Sequence, residues 1–195
     1  ISRGLVGSEM CIRDSDRDSM IFADGAGATI IEKTDEEGGI LSHNTASYTD
    51  DEVFYLFYGK SYNPQADEKT KYIKMRGRKV YEFALTNVPS AMKECLDLAN
   101  TDISEIKKIL IHQANAKMDD AIVKRLYKLF NEESPEKIMP LTVDRFGNSS
   151  VATVPTMFDL IVRNKLGDHK IEKGDKIIFA SVGAGMHINA MVYQY

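Results

Sequence analysis

The sequence predicts an α/β fold, and three stretches predict it. Residues 106–111, Ile-Lys-Lys-Ile-Leu-Ile, become β-branched and apolar as a strand entering a core does, and residues 116–130 follow with a helical period. Residues 78–99 repeat Val80, Ala84, Val88, Met92 and Leu96 about every four positions, which makes one buried helix face. Residues 176–182 and 186–195 read as two core strands on either side of Gly183-Ala184-Gly185. A strand that ends in His112-Gln113-Ala114-Asn115 and turns into a helix puts an imidazole at the carboxyl edge of a sheet. That edge is where open α/β sheets bind ligands.

Composition narrows the class. A chain of 195 residues, 43% of them hydrophobic, supports one sizeable core or two small domains sharing one. A net charge of -4 gives no basic field and argues against nucleic acid as a partner. No apolar run approaches the roughly 20 residues that span a bilayer. The cysteines are Cys11 and Cys95, without a CxxC pair, so neither a disulfide scaffold nor a cysteine-rich metal site is expected. A reducing, cytoplasmic setting fits that usage.

Residues 1–15 lack both periodicity and a signal-peptide pattern, and they resemble translated adaptor sequence. Together with the missing initiating Met they point to a fragment that lacks its true amino-terminal part. From Ser19 the chain reads as two short strands, 20–22 and 28–32, around Asp24-Gly25-Ala26-Gly27. The glycines there suit a close-packed strand corner better than a phosphate loop, because no third glycine and no helix follow. Ile40 opens another strand. No second ligand stands at metal spacing from His43, so no metal site is expected. Residues 47–74 are polar and tyrosine-rich and read as an excursion with little regular structure, a candidate cap over a site.

Pro89 falls inside the 78–99 helix and is expected to kink it. Cys95 sits among its apolar positions and reads as a buried structural thiol. Thr101 or Asp102 caps a short turn at 103–106. The helix after His112 has an apolar stripe of Met118, Ala121, Ile122, Leu126, Leu129 and Phe130, with Lys117, Asp120, Lys124 and Lys128 opposite and Arg125 at the flank. Such a face is either simply solvated or docks an acidic partner. Further on, Gly147-Asn148-Ser149-Ser150 feeds a helix with Val151, Val154, Phe158, Ile161 and Val162 on its apolar side, and Pro155 fits its first turn. Asn148 either caps that helix or donates its amide into a site. The Gly183-Ala184-Gly185 turn is a plain hairpin or a set of backbone N–H groups facing a cleft, as an oxyanion hole requires.

His-Gln-Ala-Asn after a strand, Gly-Asn-Ser-Ser, and the terminal strand–Gly-Ala-Gly–strand occur in one order, and together they resemble the ketoacyl-acyl-carrier-protein synthase III family, with its thiolase fold. Asp24-Gly25-Ala26-Gly27-Ala28 is similar to the family's corner at the end of its first half, and Lys74-Met75-Arg76-Gly77 to the entrance of its second. The resemblance implies a layered α-β-α fold, incomplete and mainly its second half. On that basis 1–15 is a non-native tail, 16–45 closes the first half, and 46–195 is the second, with the catalytic region at about 104–195. The family's catalytic set is Cys, His and Asn. Its cysteine lies on a first-half helix that neither Cys11 nor Cys95 matches, so this chain alone is expected to be inactive.

What the resemblance implies is a decarboxylative Claisen condensation that initiates fatty acid synthesis, with acyl-CoA and malonyl-acyl carrier protein as substrates and no further cofactor. His112 and Asn148 would donate hydrogen bonds to the malonyl thioester oxygen, and the Ala184 N–H would help to hold the acyl oxyanion. Tyr81, Asn115 and Lys117 would line the substrate tunnel and its mouth. Lys117, Lys124 and Arg125 would meet the acidic acyl carrier protein, and the full-length enzyme would be a homodimer. Two other classes stay open: a relative on the same fold that serves specialised lipid or aromatic metabolism, and a non-catalytic incomplete domain.

Overall fold

The computed structural model describes residue 18 and residues 21–33, 35 and 37–195. The adaptor-like stretch 1–15, Cys11 and the start of the 20–22 strand lie outside the described residues. The elements run β1 (Gly39–Ser47), β2 (Leu56–Gly59), β3 (Tyr72–Met75), α1 (Gly77–Leu98), β4 (Ile106–Ile111), α2 (Ala116–Lys128), α3 (Val143–Phe146), α4 (Thr153–Val162), β5 (Lys176–Gly183) and β6 (His187–Gln194).

One sheet organises them, in the order β1-β6-β5-β4. β4 and β5 are parallel, while β6 runs antiparallel to both β5 and β1. Helices cover both faces. Residues of α1 and α2 pack on Ile109, Ile111, Ile178, Ile188 and Val192 of one face. Met157 and Ile161 of α4 pack on Leu110 and Ile177 of the other. The result is three layers, α-β-α. β4 is covered on both sides, which is why its last three residues, Ile109, Leu110 and Ile111, are all apolar and buried. Residue 45, where the sequence reading changes halves, falls inside β1, which joins the sheet through β6.

Helix α1 buries Ala84, Val88, Met92 and Leu96 as its period requires, with Cys95 fully buried among them. It continues through Pro89. The proline has no N–H to give the Leu85 carbonyl, and Arg125 of α2 supplies one instead, its guanidinium donating to that oxygen at 3.0 Å. The turn before β4 is a capping box built by Asp102 and Glu105.

Four expectations change. Residues 28–32 form no strand; no described strand pairs with them, and Ile30 and Ile31 are 85% and 75% exposed. The corner before them is close-packed as expected, since a Cβ on Gly25 would lie 2.8 Å from Ser149 and one on Gly27 2.8 Å from Pro155. Residues 47–74 are more regular than their composition suggests: Asp51–Tyr55 make a 3-10 turn, and β2 and β3 pair as an antiparallel hairpin. On α4, Ile161 is buried with Met157, and Val154 and Phe158 pack half-buried against the same core, whereas Val151, just ahead of the helix, and Val162 are exposed. On α2, Asp119, Val123 and Tyr127 are buried and Leu129 is not.

Candidate active site

A cavity of about 770 Å³ opens at the carboxyl end of β4 and β5, and it is lined by His112, Asn148 and Ala184 together. These residues come from three separate stretches. His112 directly follows β4, and its backbone N–H donates to the Ala180 carbonyl at 2.9 Å, carrying the β4–β5 ladder one step further. Gln113 is fully buried. Its amide donates to the Ile111 and Pro140 carbonyls and its oxygen accepts from the Thr142 N–H at 3.0 Å, so the side chain stitches the loop below to the strand end.

Asn148 sits in a loop held by turn chemistry. Gly147 before it has φ +63° and Ser150 after it φ +55°. Its Oδ1 accepts from the Ser150 N–H at 2.9 Å, the Asx-turn pattern. The side chain makes no cap on α4. With Oδ1 engaged, Nδ2 is the donor end of the amide. The Asn148 backbone is bracketed by the 21–23 segment: its N–H donates to the Ile21 carbonyl at 3.1 Å and its carbonyl accepts from Ala23 at 2.9 Å.

Ser150 also reaches His112. Burial holds the imidazole below its ordinary pKa, and a hydrogen bond with the Ser150 backbone acts the other way. A partner that favours the charged ring is an acceptor, here the Ser150 carbonyl. Ser150 therefore touches both candidate residues through its backbone, from a left-handed conformation that a non-glycine residue adopts at a cost. Sequence reasoning missed it. The available signal was an asparagine two residues ahead of a serine in a glycine-led turn.

Ala184 is exposed at the tip of the β5–β6 turn, where Gly185 and Met186 have φ +75° and +48°. That turn is clamped to the end of β1. Ser47 Oγ is 2.6 Å from His187 Nδ1, and the Tyr48 N–H donates to the Met186 carbonyl at 3.2 Å. The hairpin supplies Leu56, Phe57, Tyr58, Ile73 and Met75 to the cavity wall, and β1 supplies His43 to Thr45.

The remaining candidates are elsewhere. Tyr81 is 41% exposed on α1 and outside the cavity; its neighbour Val80 lines the wall instead. Asn115 is the N-cap of α2, its side chain accepting from the Lys117 and Met118 N–H groups, while Ala114 and Met118 are the wall residues of that stretch. Lys117 is exposed. Lys124 is exposed and paired with Asp120 at 2.8 Å. The guanidinium of Arg125 is committed to the Leu85 carbonyl, so it serves the α1–α2 contact. Burial pushes the Cys95 thiol up to about 11, a state unsuited to a nucleophile. Among the described residues no cluster of His, Cys, Asp and Glu could hold a metal ion, and no helix is long and apolar enough to cross a membrane.

Comparison with known proteins identifies the family and the fold. Residues 96–195 match the family described as 3-oxoacyl-[acyl-carrier-protein (ACP)] synthase III C terminal. The β-ketoacyl-[acyl-carrier-protein] synthase III of Erythrobacter litoralis is 33% identical over 180 residues, 90% of this chain and 52% of that protein. The solved synthase III of Thermus thermophilus superposes with a TM-score of 0.78 at 25% identity, over 96% of this chain and 56% of that one. The Aquifex aeolicus 3-oxoacyl-[acyl-carrier-protein] synthase III gives 0.73 at 25% identity, over 92% and 52%. The chain thus spans about half the length of the curated relatives it matches. Its three-layer fold is thiolase-like, the second half of that architecture. With half of its length matching the C-terminal domain of one family, and with that family's fold, the chain belongs to the 3-oxoacyl-[acyl-carrier-protein] synthase III family.

Proposed function

We propose that this chain is the second half of a condensing enzyme that joins an acyl group from acyl-CoA to malonyl-acyl carrier protein, with loss of CO₂, at the start of fatty acid synthesis. One observation carries the reading: His112, Asn148 and Ala184, from three distant stretches, line one cavity at the carboxyl edge of a parallel strand pair. The acyl group rides as a thioester on a cysteine of the first half. Loss of CO₂ from the malonyl thioester leaves negative charge on its oxygen, and the two polar side chains answer that charge. The Nδ2 of Asn148, fixed by the Asx turn, donates one hydrogen bond. His112 donates the other. It does so as the imidazolium, which takes a proton from solvent as charge grows on the oxygen and raises its basicity, and its second ring N–H meets the Ser150 carbonyl. The carbanion then attacks the acyl thioester, whose oxyanion takes the Ala184 N–H; collapse of that oxyanion breaks the C–S bond and releases the cysteine as its thiolate. Acyl carrier protein approaches over the exposed Lys117 and Lys124, and the full-length enzyme works as a homodimer.

The test joins this chain to a first half that carries the nucleophilic cysteine. Asn148→Ala and His112→Ala should each lower CO₂ release from malonyl-acyl carrier protein on the order of 10²–10³-fold, as loss of a single oxyanion donor does, while acyl-cysteine still forms from acyl-CoA. Parental CO₂ release by Asn148→Ala, with only a lowered melting temperature, would remove Asn148 from the chemistry.

A further inference from the structure

Asp119 is an anomaly in the core. It is 0% exposed in the first turn of α2, and neither carboxyl oxygen has a hydrogen-bond partner among the described residues. Buried polar atoms are nearly always paired, so a carboxyl group with both oxygens unmet calls for an explanation. The local sequence gives part of one. A capping box would place its acid three positions after Asn115, and that position is Met118. Asp119 stands one residue further on, with its backbone N–H on the Asn115 carbonyl at 2.9 Å. From there its carboxyl faces back toward the N–H groups of Asn115 and Ala114, which stand close enough to favour its ionised form without closing a full hydrogen bond.

The Ala114 N–H is already engaged, because it donates to the His112 carbonyl at 3.2 Å. Ala114 and His112 both line the cavity. We propose that Asp119 is a positioning residue: its carboxylate competes with the His112 carbonyl for the Ala114 N–H and so sets the geometry of the 112–115 loop. When the carboxyl is neutral it is a poor acceptor, and Ala114 stays on His112. When it ionises it draws the Ala114 and Asn115 N–H groups toward α2, and the His112 carbonyl is released.

Both states are accessible near neutral pH. Burial pushes the Asp119 carboxyl up to about 7, and the Asn115 and Ala114 N–H groups act the other way. No titratable side chain of any described element contributes to that shift, so the group answers to pH and to those backbone donors. The loop switch stands on the buried, unpaired Asp119 carboxyl in the first turn of α2 and on the Ala114–His112 hydrogen bond beside it; its catalytic consequence rests on the role proposed for His112.

The experiment follows the amide ¹⁵N and ¹H shifts of Ala114 and Asn115 in this chain across the neutral range, in the parent, in Asp119→Asn and in His112→Gln. The parent should show an inflection at about pH 7 at both amides. It should vanish in Asp119→Asn and persist in His112→Gln, which separates the carboxyl from the imidazole. Flat Ala114 and Asn115 shifts in the parent, or the same inflection in Asp119→Asn, would overturn the proposal. If Asp119→Asn does not fold, the ¹³C carboxyl shift of Asp119 in the parent decides: titration in step with Ala114 supports the contact and titration at another pH refutes it. In the joined enzyme, the pH profile of CO₂ release should lose the same inflection in Asp119→Asn. A rate profile unchanged beside an intact amide inflection supports the loop contact and counts against the role given to His112.

Discussion

The loop that carries His112 and the loop that carries Asn148 reach the same cavity by different means. His112 is placed by regular structure: its N–H extends a parallel ladder, Gln113 anchors the turn below, and Asn115 caps the helix above. Asn148 is placed by local backbone conformation: a glycine and a serine with positive φ, an Asx turn, and a bridge to Phe22 in a segment far away in sequence. Regular structure spreads the work of placement over many weak bonds. A turn concentrates it in a few residues, each with a conformational cost of its own.

The largest expected effect belongs to the His112 loop. Asp119 has a folded-state pKa of about 7 against an ordinary value of 3.8. Below about pH 4 the group is protonated in both folded and unfolded chains and costs nothing. Between about 4 and 7 only the unfolded chain gives up its proton, so stability falls as pH rises. Above 7 the full cost is present, on the order of 4 kcal/mol at 1.36 kcal/mol per unit. Denaturant melts of the parent and of Asp119→Asn across that window should show the slope in the first and its loss in the second. Equal slopes would mean that the carboxyl is better solvated than its burial implies.

Gln113→Ala comes next. It strips the buried Thr142 N–H of its acceptor, which should cost about 1–3 kcal/mol of stability. If regular structure distributes placement, His112 should keep its chemical shifts in that variant even as the melting temperature drops. A collapse of the His112 signal would show that this loop is as concentrated as the other.

The smallest effect is expected at Ser150→Gly. Glycine removes a left-handed strain of about 1 kcal/mol and gives back a similar amount in backbone entropy, so the melting temperature should barely move. The Ser150 contacts to Asn148 and His112 are made by the backbone, and CO₂ release should survive. A large loss of activity would mean that the serine side chain, or the rigidity it brings, matters more than the turn.

The same contrast explains what was legible in the sequence. Periodicity exposed α1, the β4–α2 unit and the β5–β6 pair, because each is long enough for burial to imprint a pattern. His112 was legible for that reason, and Ala184 because glycines flank it between two strong strands. The β2–β3 hairpin was not, since strands of only four residues each, Leu56–Gly59 and Tyr72–Met75, carry too few alternations to read. Residues 28–32 carry a strand-like pattern without a partner strand, and a pattern cannot supply the partner. Val80 rather than Tyr81 faces the cavity because the first turn of α1 continues the same stripe that is buried further along. The tie between Ser150 and His112 joins residues distant in sequence through backbone atoms, which side-chain identity does not report.

Arg125 and Pro89 carry a further consequence, and it concerns heredity rather than folding. The proline opens an acceptor on α1, and an arginine 40 residues beyond Leu85 closes it. Each residue is worth keeping only while the other is present. Pro89→Ala would restore an ordinary helix bond to the Leu85 carbonyl and leave the Arg125 guanidinium redundant there, whereas Arg125→Met alone would strand the carbonyl. The two substitutions should therefore be sharply non-additive in a double-mutant cycle. Two letters far apart in the gene behave as one trait, and a lineage that loses the proline is released from holding the arginine.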